Sequence, residues 1–167
     1  LDFPFGFKNE TDGMIDNAIY SILAAKNSQT VVGINHNGVI SSFKAKGNPY
    51  THLILRGSNT TPNYFPSSVA KIDKRQKMLG LDSPLIIDCS HGNSQKDIQK
   101  QPTVFRSIYQ QIQNNNALVS GAMIESHLKG GNALSLTDPC LDWNSTKNLI
   151  LEAREAFLSI KGQCVTS

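Results

Sequence analysis

The stretch Pro84-Leu85-Ile86-Ile87-Asp88-Cys89-Ser90-His91 decides the class of fold that this sequence encodes. Its apolar part is short and continuous, and continuous hydrophobicity over roughly four to eight residues is typical of a strand buried on both faces. Runs of the same character occur at residues 3–7, 52–55 and 118–124. Since parallel sheets covered by helices contain such strands, the sequence predicts four parallel strands in one sheet.

Apolar residues with helical spacing separate these strands. A first helix is predicted over residues 14–23, a second over residues 66–79 and a third over residues 102–113. In the second helix Pro66 suits the first turn, and Gly80 is suited to end the helix. The apolar face of the first helix comprises Met14, Ile15, Ala18, Ile19, Ile22 and Leu23.

A fourth helix completes an alternation of strands and helices. It is predicted to start behind Ser145 and Thr146 and to end before Gly162, and it buries Leu149, Ile150, Ala153, Phe157 and Ile160. Four such β/α units are about half of a (β/α)8 (TIM) barrel, which typically needs about 250 residues. The pattern thus fits the last four units of such a barrel, and an open four-stranded parallel sheet fits the count equally well.

The segment 30–43 departs from this alternation. The segments Val31 to Ile34 and Val39 to Phe43 flank Asn35-His36-Asn37-Gly38, whose Asn-Gly step favours a tight hairpin turn. The sequence therefore predicts a β-hairpin inserted between two β/α units.

Composition limits the classes of function. The 167 residues include 39% hydrophobic ones, enough for a core, and 16 basic against 13 acidic residues give a net charge of +3. The basic residues are scattered, so no nucleic-acid footprint appears, and no apolar run has the length of a membrane span. Three cysteines without a C-x-x-C pair favour reduced thiols.

We expect a single domain over residues 1–167, without an internal linker, and a cytoplasmic location. Because the chain opens at Leu1 in an apolar run, we also expect further residues upstream.

Ionisable side chains follow each predicted strand at its carboxyl end. Lys8 and Arg56 follow the first two strands, and Glu125 follows the fourth. Asp88 and His91 follow the third. Because the carboxyl ends of parallel strands meet at one edge of the sheet, where active sites are built, these side chains are expected to line one cleft. Asp138, 13 residues after Glu125, is expected to fold back over that cleft.

These residues suggest a metal-assisted reaction on a phosphorylated substrate. His91, Glu125 and Asp138 offer nitrogen and oxygen ligands that suit a divalent ion such as Mn, Fe, Co or Zn, and the cations Lys8 and Arg56 suit phosphate or carboxylate groups. Taken alone, a lysine or arginine at a strand end is more often structural or solvated, and only the coincidence at four strand ends favours a site.

The remaining histidines and Cys89 have other expected places. His52 precedes its strand and is expected at the opposite, structural end of the sheet, and His36 is expected to be exposed in the hairpin turn. His127 is expected near the cleft, where it could orient a ligand, and Asp88 has the same possible role beside His91. Cys89 alternates with Asp88 and is expected to pack in the core.

Five motifs in this order resemble the C-terminal half of type I 3-deoxy-D-arabino-heptulosonate-7-phosphate (DAHP) synthase, and the resemblance covers nearly the whole chain. They are Gly6-Phe7-Lys8-Asn9-Glu10-Thr11-Asp12-Gly13, His52-Leu53-Ile54-Leu55-Arg56-Gly57, Ile87-Asp88-Cys89-Ser90-His91-Gly92-Asn93-Ser94, Met123-Ile124-Glu125-Ser126-His127-Leu128 and Leu136-Thr137-Asp138-Pro139-Cys140. The resemblance implies a (β/α)8 barrel. It also implies condensation of phosphoenolpyruvate with erythrose 4-phosphate, the first step of aromatic amino acid biosynthesis, with release of phosphate.

The resemblance also implies roles for individual residues. His91, Glu125 and Asp138 would be the metal ligands, with Asp138 also touching substrate, and Lys8 and Arg56 would hold phosphoenolpyruvate. Lys8 and His91 would be the catalytic residues. The family takes a further cysteine ligand and a Lys-Pro-Arg-Thr segment from its N-terminal half, which implies a complementing half or a homo-oligomer, and an aromatic amino acid effector is possible.

Two other functions fit the same residues. One is a related enzyme that joins phosphoenolpyruvate to an aldose phosphate, such as 3-deoxy-manno-octulosonate-8-phosphate synthase. The other is a non-catalytic half-barrel that binds a partner or an effector. The motifs Lys8-Asn9-Glu10-Thr11-Asp12-Gly13 and Asp88-Cys89-Ser90-His91 favour DAHP synthase over the first, and retention of all five site residues argues against the second.

Overall fold

The computed structural model describes residues 3–114, 118–131 and 138–163, with side chains described as far as residue 158. The first half contains β1 (Phe5–Lys8), α1 (Asp16–Lys26), β2 (Gln29–Ile34), β3 (Ile40–Ala45), β4 (Thr51–Leu55) and α2 (Pro66–Met78). The second half contains β5 (Leu85–Asp88), α3 (His91–Ser94), a 3-10 turn (Ile98–Lys100), α4 (Gln101–Gln113), β6 (Val119–Met123) and α5 (Trp143–Gln163).

The main sheet has four parallel strands in the order β1-β4-β5-β6, as the sequence predicts. Its register pairs Lys8 with Ile54, Ile54 with Ile86, and Asp88 with Met123. Since each strand is followed by a helix further along the chain, the α/β class of the fold is confirmed. Within the described ranges, no helix combines the length and apolarity needed to cross a bilayer.

One face of the sheet packs against the helices and forms the core. Alternate strand residues point to this face, and the cluster they form with the helices includes Ile19, Ile22, Leu53, Leu55, Val69, Leu85, Ile87, Val104, Ile108 and Val119. The other alternate residues share the opposite face, where His52 and Ile86 are half-buried and Met123 is 39% exposed. Lys8 and Asp88, at the carboxyl ends of β1 and β5, also belong to this second face.

The hairpin prediction is confirmed, with one difference in its turn. Strands β2 and β3 form a separate antiparallel pair, in register from Gln29 opposite Ala45 to Ile34 opposite Ile40. Five residues link the strands, and the Asn35 side chain accepts the backbone N–H groups of Asn37 and Val39. The Asn35 backbone N–H also donates to the Val39 carbonyl at 2.9 Å, so the turn comprises residues 36–38, one more than the two-residue turn that an Asn-Gly step favours.

Helix α5 begins earlier than predicted because a different residue caps it. Asp142, and not Ser145 or Thr146, provides the cap: its carboxylate accepts the Ser145 backbone N–H at 2.9 Å and the Ser145 hydroxyl at 2.7 Å. Hydrogen bonds with Ser145 lower the pKa of Asp142, which favours its charged form at the positive end of the helix. The predicted C-terminal end of the helix, before Gly162, is also wrong, since the helix continues to Gln163.

The apolar stripe of α5 is narrower than predicted. Leu149 and Ala153 are buried, whereas Ile150 is 52% and Phe157 37% exposed. The helix packs on α4, and that contact needs only one side of α5. The side chain of Ile160 lies outside the described residues.

The apolar face predicted for α1 is also too long at its start. The helix begins at Asp16, so Met14 lies outside it and is 55% exposed.

Candidate metal and anion site

The carboxyl ends of β1, β5 and β6 bring together the residues that the sequence marks. The Lys8 ammonium donates to Asp88 Oδ2 at 2.6 Å, and His91 Nδ1 lies 2.9 Å from the same oxygen. On the other side of its ring, His91 Nε2 lies 3.6 Å from Glu125 Oε1 and 3.5 Å from Asp138 Oδ2. Five of the six side chains expected at the cleft thus lie together here, and the sixth, Arg56, is described below.

The imidazole of His91 is oriented by Asp88. The ring is held with Nδ1 facing Asp88 and Nε2 facing Glu125 and Asp138. When Nδ1–H donates to Asp88, Nε2 is the nitrogen left to bind a metal ion. This carboxylate–histidine pairing is the usual way in which a metal-binding histidine is held. The position of Asp88 therefore agrees with the orienting role expected for it.

His91, Glu125 and Asp138 have the geometry of a metal site. One ligand atom from each lies within 4.8 Å of the others, close enough for a single ion to contact all three. One nitrogen and two carboxylate oxygens suit a borderline divalent ion. The residues present therefore fit the divalent metal expected from the sequence, although their identity does not select one metal.

Buried polar neighbours fix Glu125 in this group. The hydroxyl of Ser90, a buried residue, donates to Glu125 Oε2 at 2.6 Å, which leaves Oε1 on the side of His91. The side chain of Gln101, also buried, accepts the Glu125 backbone N–H at 3.2 Å. Neither residue was predicted from the sequence, because an uncharged side chain near a strand end carries no distinctive signal.

Asp88 remains charged at the centre of the site. Its burial alone would raise the pKa of the carboxyl group, but hydrogen bonds from His91, Lys8 and the Ser90 backbone outweigh burial and lower the pKa to about 2. A permanent carboxylate at this point balances the Lys8 ammonium and holds it in place.

Arg56 lines a cleft of about 150 Å³ beside this group. The other lining residues are Thr11, Gly57, Ser58, Asn59, His91, Gly92, Gln95 and Lys96. Two loops that line the cleft touch each other: Gly57 has φ +74°, and a Cβ on it would lie 2.5 Å from the carbonyl carbon of Gly92. Among the described residues, two cations and no carboxylate line the cleft, so it suits an anion.

Three asparagines, also missed by sequence reasoning, hold the ends of β1, β4 and β5 together. Asn9 Oδ1 accepts the Arg56 backbone N–H at 2.8 Å and Asn63 Nδ2 at 3.2 Å. Asn93 Oδ1 accepts the Asn63 backbone N–H at 2.8 Å, and Asn93 Nδ2 donates to carbonyl groups at the ends of β4 and β5. This network sets the backbone of Arg56 relative to β1 and β5.

The backbone around α3 adopts left-handed conformations that non-glycine residues rarely take. His91 has φ +54°, Gln95 +56° and Lys96 +60°. The Lys96 backbone N–H donates to the His91 carbonyl at 2.8 Å, which closes the segment into a compact loop. Such conformations concentrate at functional sites, where surrounding contacts hold the strained backbone.

The other expected positions agree with the structure in most cases. His36 is exposed, Cys89 is fully buried, and His52 lies near the opposite end of the sheet beside Pro84. Burial raises the pKa of the Cys89 thiol, and Asp88 adds to the rise, which agrees with the packing role expected for this cysteine. His127 is half-buried and its Nδ1 accepts the backbone N–H of Lys129 at 3.3 Å, a local contact that gives no support to the ligand-orienting role.

The sheet and its carboxyl edge define a parallel α/β protein with a cationic cleft next to a group able to hold a divalent ion. The chain belongs to the DAHP synthetase I family, whose family model matches residues 1–162. The family expected from the sequence is thereby confirmed.

Named relatives agree with this assignment. The Tyr-sensitive phospho-2-dehydro-3-deoxyheptonate aldolase of Salmonella typhimurium is 40% identical, over 98% of this chain and 48% of the relative. The tyrosine-inhibited protein of Schizosaccharomyces pombe is 37% identical, over 93% of this chain and 46% of the relative. The solved structure of phospho-2-dehydro-3-deoxyheptonate aldolase from Francisella tularensis SCHU S4 shares 34% identity and a TM-score of 0.79, over 90% of this chain and 47% of that one. The chain spans about half the length of these relatives.

Proposed function

We propose that this chain is part of an enzyme that condenses phosphoenolpyruvate with erythrose 4-phosphate and water to give DAHP and phosphate. The observation that carries the proposal is the meeting of a cationic cleft with the His91, Glu125 and Asp138 group at one sheet edge. Membership of the DAHP synthetase I family and relatives named phospho-2-dehydro-3-deoxyheptonate aldolase support it.

The site residues divide into two sets. Lys8 and Arg56 bind the carboxylate and phosphate of phosphoenolpyruvate, since both are cations at neighbouring strand ends. Nε2 of His91 and the carboxylates of Glu125 and Asp138 hold a divalent ion, one of Mn, Fe, Co or Zn. The bound ion would act as a Lewis acid toward the aldehyde of erythrose 4-phosphate. Asp138, beside His91 Nε2, would also contact that substrate.

The architecture in this proposal is the C-terminal half of a (β/α)8 barrel. Residues 1–167 form one domain with four β/α units, and the strands β1 and β6 at the edges of the sheet pair with an N-terminal half or with a second copy of the chain. The names of the Salmonella and Schizosaccharomyces relatives support an aromatic amino acid effector. A reaction on two small phosphate esters fits a cytoplasmic location.

The test is phosphate release from phosphoenolpyruvate that depends on erythrose 4-phosphate and Mn²⁺. It is run with the chain alone and with the N-terminal half of the Salmonella relative added. We expect Lys8→Met to reduce the rate at least about 100-fold, because a cation that neutralises substrate charge is lost. Lys71→Met, at an exposed position on α2, is the matched control and should keep the rate. No release under either condition, or equal loss in both variants, contradicts the proposal.

A further inference from the structure

The ammonium group of Lys96 lies beside the candidate metal ligands. Its Nζ is 3.6 Å from Asp138 Oδ1, while the other oxygen of the same carboxylate is 3.5 Å from His91 Nε2. Asp138 is buried, with 4% of its side chain exposed, so a charge next to it is weakly screened. One carboxylate thus faces a lysine on one side and the metal group on the other.

The backbone of Lys96 is held in one position, whereas the Lys96 side chain is exposed and can move. The left-handed loop holds the Lys96 backbone against the His91 carbonyl. By contrast, 62% of the side chain is exposed, and 3.6 Å exceeds the usual length of a hydrogen bond. A long, exposed lysine side chain at this distance can exchange one anionic partner for another.

The alternative partner lies in the cleft. Lys96 lines it together with Arg56 and His91, and none of its lining residues in the described part of the chain is a carboxylate. An anion bound beside Arg56 would therefore compete with Asp138 for the Lys96 ammonium. A divalent ion on Asp138 would favour that exchange, because it neutralises the carboxylate and repels the ammonium.

We propose that Lys96 couples metal binding to anion binding by changing partner. Without a divalent ion it balances the charge of Asp138, and with the ion bound it turns into the cleft and contacts the anion. By linkage, each ligand then strengthens the binding of the other. The inference rests on the metal ligands named in the proposed function, here called the metal set. It adds Lys96 as a residue whose contacts change with both the metal ion and the anion.

The experiment measures the Mn²⁺ affinity of the whole chain by the electron paramagnetic resonance signal of free Mn²⁺, with and without phosphoenolpyruvate. Lys96→Asn removes the charge with a residue that tolerates a left-handed backbone, and Lys96→Arg keeps the charge. Lys100→Asn is the matched control, since its ammonium bonds to the Gln95 side chain and not to Asp138.

We expect Lys96→Asn to tighten Mn²⁺ binding about threefold to tenfold in the absence of phosphoenolpyruvate, because a competing cation is gone. In the same variant phosphoenolpyruvate should strengthen Mn²⁺ binding less than it does in the wild type. Lys96→Arg and Lys100→Asn should behave as the wild type. Unchanged or weaker Mn²⁺ binding in Lys96→Asn, or undiminished strengthening by phosphoenolpyruvate, overturns the inference.

Failure of the proposed metal set is recognised separately. If His91→Ala binds Mn²⁺ as tightly as the wild type, the metal does not occupy the His91 group and both proposals fail. If His91→Ala loses Mn²⁺ while Lys96→Asn matches the wild type, the metal set stands and only the coupling role of Lys96 is wrong.

Discussion

At the scale of single residues, Asp88 is the side chain on which the geometry of the site depends. Its Oδ2 atom contacts both Lys8 and His91, and its Oδ1 accepts the Ser90 backbone N–H at 2.9 Å. We expect Asp88→Asn to weaken Mn²⁺ binding about 10- to 100-fold. If the amide oxygen keeps the Ser90 N–H, the NH2 group faces His91 Nδ1 and Lys8 and cannot accept from either of them. Titration of the chain with Mn²⁺ measures the effect.

A second acid on the same segment controls for the loss of charge. Asp82 is exposed and precedes β5, at the end of the strand opposite to Asp88. Asp82→Asn removes one negative charge from the chain without touching His91, so Mn²⁺ affinity should stay within about twofold of the wild type. Equal loss in the two variants would mean that net charge, and not the orientation of His91, governs binding.

The sequence predicts charged site residues far better than it predicts the polar residues that support them. Lys8, His91 and Glu125 stand out because each follows an apolar strand, and parallel strands bring their ends together. Asn63 and Ser90 act through hydrogen bonds whose partners are distant in sequence, and a chain without its fold offers no such pairs. For the same reason the contact of Lys96 with Asp138 appears only once the loop after His91 is folded.

At the scale of helices and strands, the contact between α4 and α5 depends on an ion pair that pH can test. Glu152 accepts from Arg106 through both carboxylate oxygens, at 2.8 and 2.9 Å, and from the Tyr109 hydroxyl at 2.8 Å. These hydrogen bonds, Arg106 foremost, lower the pKa of Glu152 to about 2. A group with a lowered folded-state pKa stabilises the fold above its unfolded pKa, near 4.5, and loses that effect as pH falls toward 2.

We therefore expect Glu152→Gln to reduce the free energy of unfolding by about 1 kcal/mol at neutral pH, a value kept small because both side chains are more than a third exposed. The difference from the wild type should shrink between pH 4.5 and 2. Urea unfolding at pH 7 and pH 3 measures it. Glu155→Gln is the control, since Glu155 pairs with the adjacent Arg154 on the same helix and the substitution should cost little at either pH. A penalty independent of pH contradicts the argument.

The elements themselves were predictable where pattern and packing agree. All four strands of the main sheet and the helices α1, α2, α4 and α5 were predicted within a few residues, because continuous apolar runs and helical spacing directly reflect burial. The buried stripe of α5 was overestimated, since the sequence gives apolar positions but not the width of the surface that covers them. The short helix α3 was missed because a four-residue helix has no periodicity to detect.

At the scale of the whole molecule, the open edges of the sheet predict association. β1 and β6 each pair with one neighbour among the described strands, and Met123 on β6 is 39% exposed on the sheet face away from the core. We expect the chain to form dimers or larger species, or to bind a complementing N-terminal half, and sedimentation velocity measures either.

Met123→Lys should weaken association at least about tenfold, since burying an ammonium in the new contact is costly. Met78→Lys, at a 69% exposed position on α2, should leave it unchanged. A folded wild type that stays monomeric at every concentration, alone and with the N-terminal half, would show that these edges do not pair, and the half-barrel architecture would then be wrong.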